Sequence, residues 1–284
     1  MTPAAPVRIS LLYLFLFLIP ARYKELHAQC VVLPNAFAHN DYWHKRPLHD
    51  ALDNGFTHVE ADIYLQRGAL IVTHVLHPVF YNRRRTLERL YLQPIEERVR
   101  SHGGSVYAGD NRPLILMIDI KTNSSKTYKV LAPLLERYRH MLTEYNDGQI
   151  IQRQVTVVLT GRKPSGLLAA RNRLAFIDED LRKTVNDTSV SDVFPIASCR
   201  YTRLLDWDGT GSMPQAQKKR LCAFVQFAHR QGKKVRLWAS PEKETVWRAL
   251  LDCGVDLINT NKLEKLKMFL LSRNPETTVL THTN

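Results

Sequence analysis

The sequence contains no apolar run long enough to span a bilayer as a helix, which takes roughly 20 residues. Its most apolar stretch, residues 9–19, follows Arg8 and is closed by Pro20. A run of about eleven residues suits the core of a secretory signal instead. Cleavage after Ala28 would leave Gln29 as the first residue of an exported chain. Lipidation of Cys30 is disfavoured, because it needs a small residue just before the cysteine and Gln29 stands there. Cysteine is scarce as well. Cys30, Cys199, Cys222 and Cys253 show no C-x-x-C spacing, which excludes a zinc ribbon and a dithiol redox motif. Cys222 on an apolar helical face and Cys253 at a helix end are expected as small buried thiols rather than as a bridge. Acids are outnumbered, 27 Asp and Glu against 40 Lys and Arg, for a formal net charge of +13. That field draws anionic partners, whether phosphodiesters, lipid headgroups or nucleic acid, without choosing among them. No disordered tract interrupts the chain, and 284 residues with 44% hydrophobic content suffice for one large domain.

What is present is an alternation of two periods. Apolar runs of strand length fall at residues 35–38, 58–65 with a partner at 70–74, 114–120, 155–159, 174–177, 193–197, 234–239 and 255–259. Segments of helical period lie between or after them, at 48–53, 87–99, 128–145, 215–231, 245–252 and 263–271. Gly55, Gly232 and Gly254 follow three of these segments, where helix C-terminal caps are expected. Eight strand positions followed by helices predict a (β/α)8 TIM barrel, a single domain over 29–284 after a signal peptide at 1–28.

The polar residues gather at one end of that scheme. His39 ends the first strand, Glu60 and Asp62 lie two apart on the second, His74 closes its extension, and Asp119 and Lys121 end the third. Residues two apart on a strand share a face, so Glu60 and Asp62 stand side by side, and adjacent carboxylates repel unless a cation lies between them. A divalent metal is the natural guest. All these positions fall on the carboxyl rim, where a parallel barrel carries its active site. Trp238, near the end of the seventh strand, is either an aromatic wall of the pocket or ordinary packing. The loop 206–211 lacks the spaced acids and terminal Glu of an EF-hand; its Trp207 is a further candidate for substrate contact. The sequons at Asn123 and Asn186 matter only for an exported eukaryotic chain.

The motifs A-H-N-D-Y (38–42), H-V-E-A-D-I (58–63), I-V-T-H (71–74), L-M-I-D-I-K-T (116–122), V-R-L-W (235–238) and C-G-V-D-L-I-N-T-N (253–261) carry a resemblance. The chain resembles the superfamily of phosphatidylinositol-specific phospholipase C, glycerophosphodiester phosphodiesterase and sphingomyelinase D. Within it, the set is most similar to the branch that includes the fungal altered-inheritance-of-mitochondria protein 6. The resemblance implies a TIM barrel that cleaves phosphodiesters with two histidines and one divalent metal, Mg2+ or Ca2+. It implies Glu60, Asp62 and Asp119 as metal ligands, His39 and His74 as acid and base, and Lys121 as charge stabiliser. The family's His-Arg-Gly reads His39-Asn40-Asp41 here, its His-Asp pair reads His74-Val75, and its third acid, usually Glu, is Asp119. Asn40 and Asp41 therefore become candidates for substrate binding, and the headgroup stays open.

The expected protein is an exported, monomeric phosphodiesterase acting on glycerophosphodiesters or phospholipids. Its charge allows peripheral membrane contact, and no specific nucleic acid is expected. Which histidine is acid and which base, and whether the product is cyclic, are not decided by sequence. A glycosidase would draw its two carboxylates from different strands across a sugar, whereas Glu60 and Asp62 share one strand face. A non-catalytic barrel binding anionic lipid or nucleic acid has no need of three clustered acids in a cationic chain.

Overall fold

The computed structural model describes residues 31–75, 82–185 and 192–273. The expected signal segment and the sequon at Asn186 lie outside these residues. Along the chain, the strands are β1 (Leu33–Ala38), β2 (Phe56–Gln66), β3 (Ala69–Val72), β4 (Leu114–Ile120), β5 (Glu144–Asn146), β6 (Gln149–Ile151), β7 (Val155–Gly161), β8 (Asn172–Arg173), β9 (Phe176–Asp180), β10 (Ile196–Arg200), β11 (Lys234–Trp238) and β12 (Leu257–Thr260). The α-helices are α1 (His49–Asp53), α2 (Gln93–Ser101), α3 (Ser124–Arg137), α4 (Gln215–Arg230), α5 (Glu244–Asp252) and α6 (Leu263–Arg273).

Eight of the strands run parallel around a ring, β1-β2-β4-β7-β9-β10-β11-β12, and β12 pairs back to β1. This is the closed TIM barrel expected from the alternation. β3 hangs antiparallel on β2, and β5, β6 and β8 form a small side sheet. Among the described residues, the connections β7 to β9 and β9 to β10 hold short 3-10 turns, the first also β8, and no α-helix where a regular barrel has one.

Because alternate strand residues share a face, the interior can be followed in layers. Ile115, Met117, Val158, Phe176, Ile196 and Leu257 fill the middle of the barrel with Phe37. A much larger apolar cluster packs the outer strand faces against the helices. Two residues further along each strand the interior turns polar: Met117 gives way to Asp119, Val158 to Thr160, Phe176 to Asp178, Ile196 to Ser198 and Leu257 to Asn259. The apolar plug fixes the ring, and the polar layer above it opens on the carboxyl rim.

Four expectations require correction. The helix expected at 128–145 is shifted: the Asn123 side chain accepts the Lys126 N–H at 3.0 Å and starts α3 at Ser124. The residues after Arg137 turn through a 3-10 step into the β5–β6 hairpin. Its two-residue turn is Asp147-Gly148, both with positive φ (45° and 92°), as a hairpin requires. β9 and β10 begin two and three residues later than expected and run on into Asp180 and Arg200. Cys222 and Cys253 form a disulfide between α4 and the end of α5, not two free thiols. Cys199 is free and buried, and burial pushes its thiol up to about 12.

Candidate active site

A cavity of about 560 Å³ opens at the carboxyl ends of the barrel strands. His39, Asn40, Glu60, Asp62, His74, Asp119, Lys121 and Trp238 all line it, so the structure brings eight of the ten sequence-selected residues together. The chain enters the site through Asn40, whose left-handed backbone (φ 47°) turns β1 into a short 3-10 segment; asparagine tolerates that conformation better than most residues.

Each histidine is fixed by its Nδ1. His39 Nδ1 lies 2.9 Å from Asn261 Oδ1. With the amide oxygen as acceptor, Nδ1 carries a hydrogen, and Nε2 lies 3.8 Å from Glu60 Oε2. His74 Nδ1 lies 3.2 Å from Asp62 Oδ2 and 3.1 Å from the Tyr42 hydroxyl. Tyr42, buried beneath them, donates its O–H toward Asp62 Oδ2 (2.8 Å), with Asn40 Oδ1 close by at 2.9 Å. Burial, reinforced by the charge of Asp62, holds this phenol protonated far above its usual range.

The three carboxylates can each offer one oxygen such that all three oxygens lie within 4.8 Å of one another. Two cations already share them. Arg236 reaches Glu60 Oε2 at 2.9 Å, and Lys121 Nζ bridges Asp119 Oδ2 (2.6 Å) and Asp62 Oδ2 (3.2 Å). Burial pushes Asp119 up, and the charges of Asp62 and Glu60 add to the rise against the opposing pull of Lys121. Burial alone would pull Lys121 down, but its bonds to Asp119 and Asp62 raise it overall, so it stays an ammonium. Three negative charges against two positive leave a deficit that a further cation would fill. Asp119 Oδ1 is buried with no partner. It lies where a Cβ on Gly161 would come within 2.0 Å of it, so Gly161 (φ 69°) cannot carry a side chain without displacing that carboxylate. A hard oxygen donor set with one unsatisfied buried oxygen fits Mg2+ or Ca2+.

Two sequence-selected residues are not at the cavity. Asp41 is fully buried behind it, where its Oδ2 accepts the Leu48 N–H and, at 2.9 Å, the Tyr91 hydroxyl. It buttresses the loop that presents Asn40 and touches no ligand space. Burial pushes its carboxyl up to about 6 in spite of those two donors. A carboxyl raised in the folded state contributes stability below its unfolded value, near 4, and loses that contribution as pH climbs through 6. Asp41→Asn is therefore expected to gain about 2–3 kcal/mol relative to the native chain between pH 4 and pH 7. Urea unfolding at both pH values measures this, and parallel pH curves would contradict it. Trp207 is the second misplaced residue: it is 9% exposed and packs in the core, its indole N–H donating to the Thr210 carbonyl at 2.8 Å.

Sequence reasoning also missed groups. Arg236 stands two residues before Trp238 on the same strand face, so the spacing that paired Glu60 with Asp62 could have found it. Asn261 follows Asn259 in the same way. Tyr42 stands in the matching motif 38–42 but gives no signal by strand spacing, since it reaches the site only through the turn at Asn40. Asp178, held on Oδ2 by the hydroxyls of Ser198 and Thr160 (3.0 Å), joins the cavity wall with its other oxygen buried and unpartnered.

A (β/α)8 ring bearing two histidines and three convergent carboxylates on its carboxyl rim is the layout of the glycerophosphodiester phosphodiesterase and phosphatidylinositol phospholipase C superfamily. Residues 26–178, more than half of the chain, match the AIM6-like phosphodiesterase domain, and the chain belongs to that family. Residues 234–264 match the glycerophosphoryl diester phosphodiesterase family. Altered inheritance of mitochondria protein 6 of Eremothecium gossypii is 32% identical over 274 residues, covering 84% of this chain and 70% of that protein. Its counterpart in Lachancea thermotolerans is 28% identical, covering 83% and 65%. A crystal structure of a glycerophosphodiester phosphodiesterase from Parabacteroides distasonis superimposes with a TM-score of 0.51 at 13% identity, covering 84% of this chain and 97% of that one. At that identity the likeness speaks for the fold alone.

Proposed function

We propose that the chain is a metal-dependent phosphoric diester hydrolase that uses His39 as base and His74 as acid on a glycerophosphodiester- or phospholipid-type substrate. The observation that carries this reading is that two imidazoles meet one carboxylate cluster through different nitrogens, His39 through Nε2 and His74 through Nδ1. His39 Nε2 keeps a lone pair toward the cluster because Asn261 takes the Nδ1 hydrogen. It removes the proton of the attacking hydroxyl as the new P–O bond forms. His74, held through Nδ1 by Asp62, presents Nε2 to the leaving side and returns a proton to the departing alkoxide as the old P–O bond breaks. Lys121 adds fixed positive charge beside the phosphoryl position, and Arg236 orients Glu60. A divalent cation held by Glu60, Asp62 and Asp119 would neutralise charge on the phosphoryl oxygens. A water nucleophile gives direct hydrolysis; a hydroxyl of the substrate itself gives a cyclic phosphate first.

Export belongs to the same proposal. The disulfide Cys222–Cys253 and the signal-like run at 9–19 both suit an oxidising compartment. Among the described residues no helix is long and apolar enough to cross a membrane.

The deciding experiment is hydrolysis of bis(4-nitrophenyl) phosphate and a panel of glycerophosphodiesters and lysophospholipids with Mg2+, Ca2+ or EDTA. Turnover that requires the metal is expected. A folded protein that neither binds a divalent cation nor cleaves any diester would sink the proposal.

A further inference from the structure

The side of the cavity across from the histidines carries more positive charge than its own acids can neutralise. β10 lies four places from β2 in either direction around the eight-stranded ring, so its rim faces Glu60 and Asp62 across the barrel mouth. Arg200 ends β10 and Arg203 follows within one turn, while Lys163 stands two residues after β7; all three line the cavity. Two of the three acids on that wall are paired with other cations, and the third, Asp178, is a single charge against three. Asp180 pairs with Arg182 at 2.6 Å, Glu179 with the buried Lys233 at 2.7 Å, and Asp178 is held by two hydroxyls. Lys163 Nζ donates to the Asp178 carbonyl at 2.6 Å, which satisfies one hydrogen but no charge. Among the described residues, no carboxylate lies within ion-pair distance of Lys163, Arg200 or Arg203. The Arg200 guanidinium sits 5.7 Å from the Trp238 ring centroid, and the exposed indole holds it over the cavity mouth.

Solvated surface cations need no explanation, but these three converge on the mouth of a concave site from two strands. The opposite wall has the reverse imbalance, three acids against two cations. A divalent cation on those acids would reverse that sign, so a ligand with one anionic phosphodiester at the histidine side and a second anion at the β7–β10 side would satisfy both walls. Guanidinium forks favour a phosphate-type oxyanion, which they bind in bidentate fashion.

We infer that the preferred substrate is a polyanionic diester, whose alcohol moiety bears a second anionic group, a phosphate monoester above all, bound by Arg200, Arg203 and Lys163. The inference rests on the diesterase reading of the same cavity. It explains why a site with catalytic carboxylates lies in a chain of net charge +13, and it does not require a membrane.

The test uses soluble probes with the full chain. Calorimetric titration with ethyl 3-phosphopropyl phosphate and with ethyl propyl phosphate compares a diester that bears a second anionic group with one that does not. The native protein is expected to bind the phosphorylated diester about tenfold more tightly or better. Arg200→Gln with Arg203→Gln is expected to abolish that preference and leave binding of the plain diester unchanged. Both residues are exposed, so the double variant should keep its thermal midpoint. In parallel, 4-nitrophenyl 3-phosphopropyl phosphate should be turned over in preference to 4-nitrophenyl propyl phosphate, and the preference should vanish in the variant. Equal affinity of the native protein for both probes overturns the inference. So does an equal loss on both probes in the variant, or a variant that loses only binding to phosphatidylserine vesicles. Discrimination between the probes without turnover of any diester keeps the second anion site and removes the diesterase reading. Turnover without discrimination does the reverse.

Discussion

His39→Ala is expected to lower the turnover of bis(4-nitrophenyl) phosphate by about a hundred- to ten-thousandfold, the range typical of a lost general base. The loss should appear in kcat, because His39 faces the cluster through Nε2 and the backbone N–H that seats it, bonded to the Thr260 carbonyl at 3.0 Å, is untouched. Its side chain is about a quarter exposed, so truncation leaves no buried cavity and the thermal midpoint should stay within a few degrees. The companion variant His74→Ala separates the two roles. An aryl leaving group departs without a proton, so on the nitrophenyl diester His74→Ala should lose much less than His39→Ala. On an alkyl diester, whose leaving group needs protonation, both should lose to a similar extent. If His74→Ala is the worse variant on the aryl diester, the roles are exchanged. If His39→Ala retains native turnover, the imidazole is a structural hydrogen-bonding group and the diesterase mechanism has to be drawn elsewhere in the cavity.

The elements that sequence made legible are those in which one physical requirement dominates. β2 and β4 are buried over most of their length, so the ends of their apolar runs fall within two residues of the strand ends, and the acids interrupting them stand out as exceptions. β9 and β10 were misplaced for the converse reason. Their carboxyl halves, Asp178-Glu179-Asp180 and Ser198-Cys199-Arg200, are polar because they form the cavity wall, and a pattern that looks for apolar residues ends the strand where the site begins. The helical period expected to run to 145 takes in the first two residues of the hairpin at 144–151, although Asn146-Asp147-Gly148 just beyond is a strong turn signal. Asp41 and Trp207 failed differently. Sequence places them beside the site, but whether a loop side chain points into a cavity or behind it depends on how the folded chain packs around it, here Asp41 against Tyr91 from a remote helix and Trp207 into the core with its indole N–H on Thr210. The disulfide was missed for the same reason: α4 and α5 come together only once the barrel has closed.

Arg236 carries the largest expected effect on stability. Its guanidinium is 2% exposed and spends all three nitrogens: on Glu60 Oε2 at 2.9 Å, Asn259 Oδ1 at 2.8 Å and Met117 Sδ at 2.9 Å. Its plane lies 3.9 Å from the centre of the Phe37 ring. It thus joins the apolar plug to the polar layer and neutralises the innermost acid of the cluster. Arg236→Met keeps most of the volume and removes the charge, leaving Glu60 buried beside Asp62 and Asp119 with Lys121 as the remaining cation. Breaking a buried pair from one side costs about 3–5 kcal/mol, which for a chain of this size lowers the thermal midpoint by about 6–20 °C. The companion variant Arg236→Met with Glu60→Gln removes the stranded charge as well and should recover most of that loss, whereas Glu60→Gln alone leaves the guanidinium unpaired and should be destabilised too. A double-mutant cycle from denaturant unfolding gives the coupling directly. A coupling near zero would mean that Arg236 acts only by filling space. A divalent cation offers a second readout without any assay of activity. In Arg236→Met the freed Glu60 oxygen becomes available to it, so added Mg2+ or Ca2+ should raise the midpoint of this variant by more than it raises that of the native chain. An equal rise in both would show that Arg236 and a cation do not compete for Glu60.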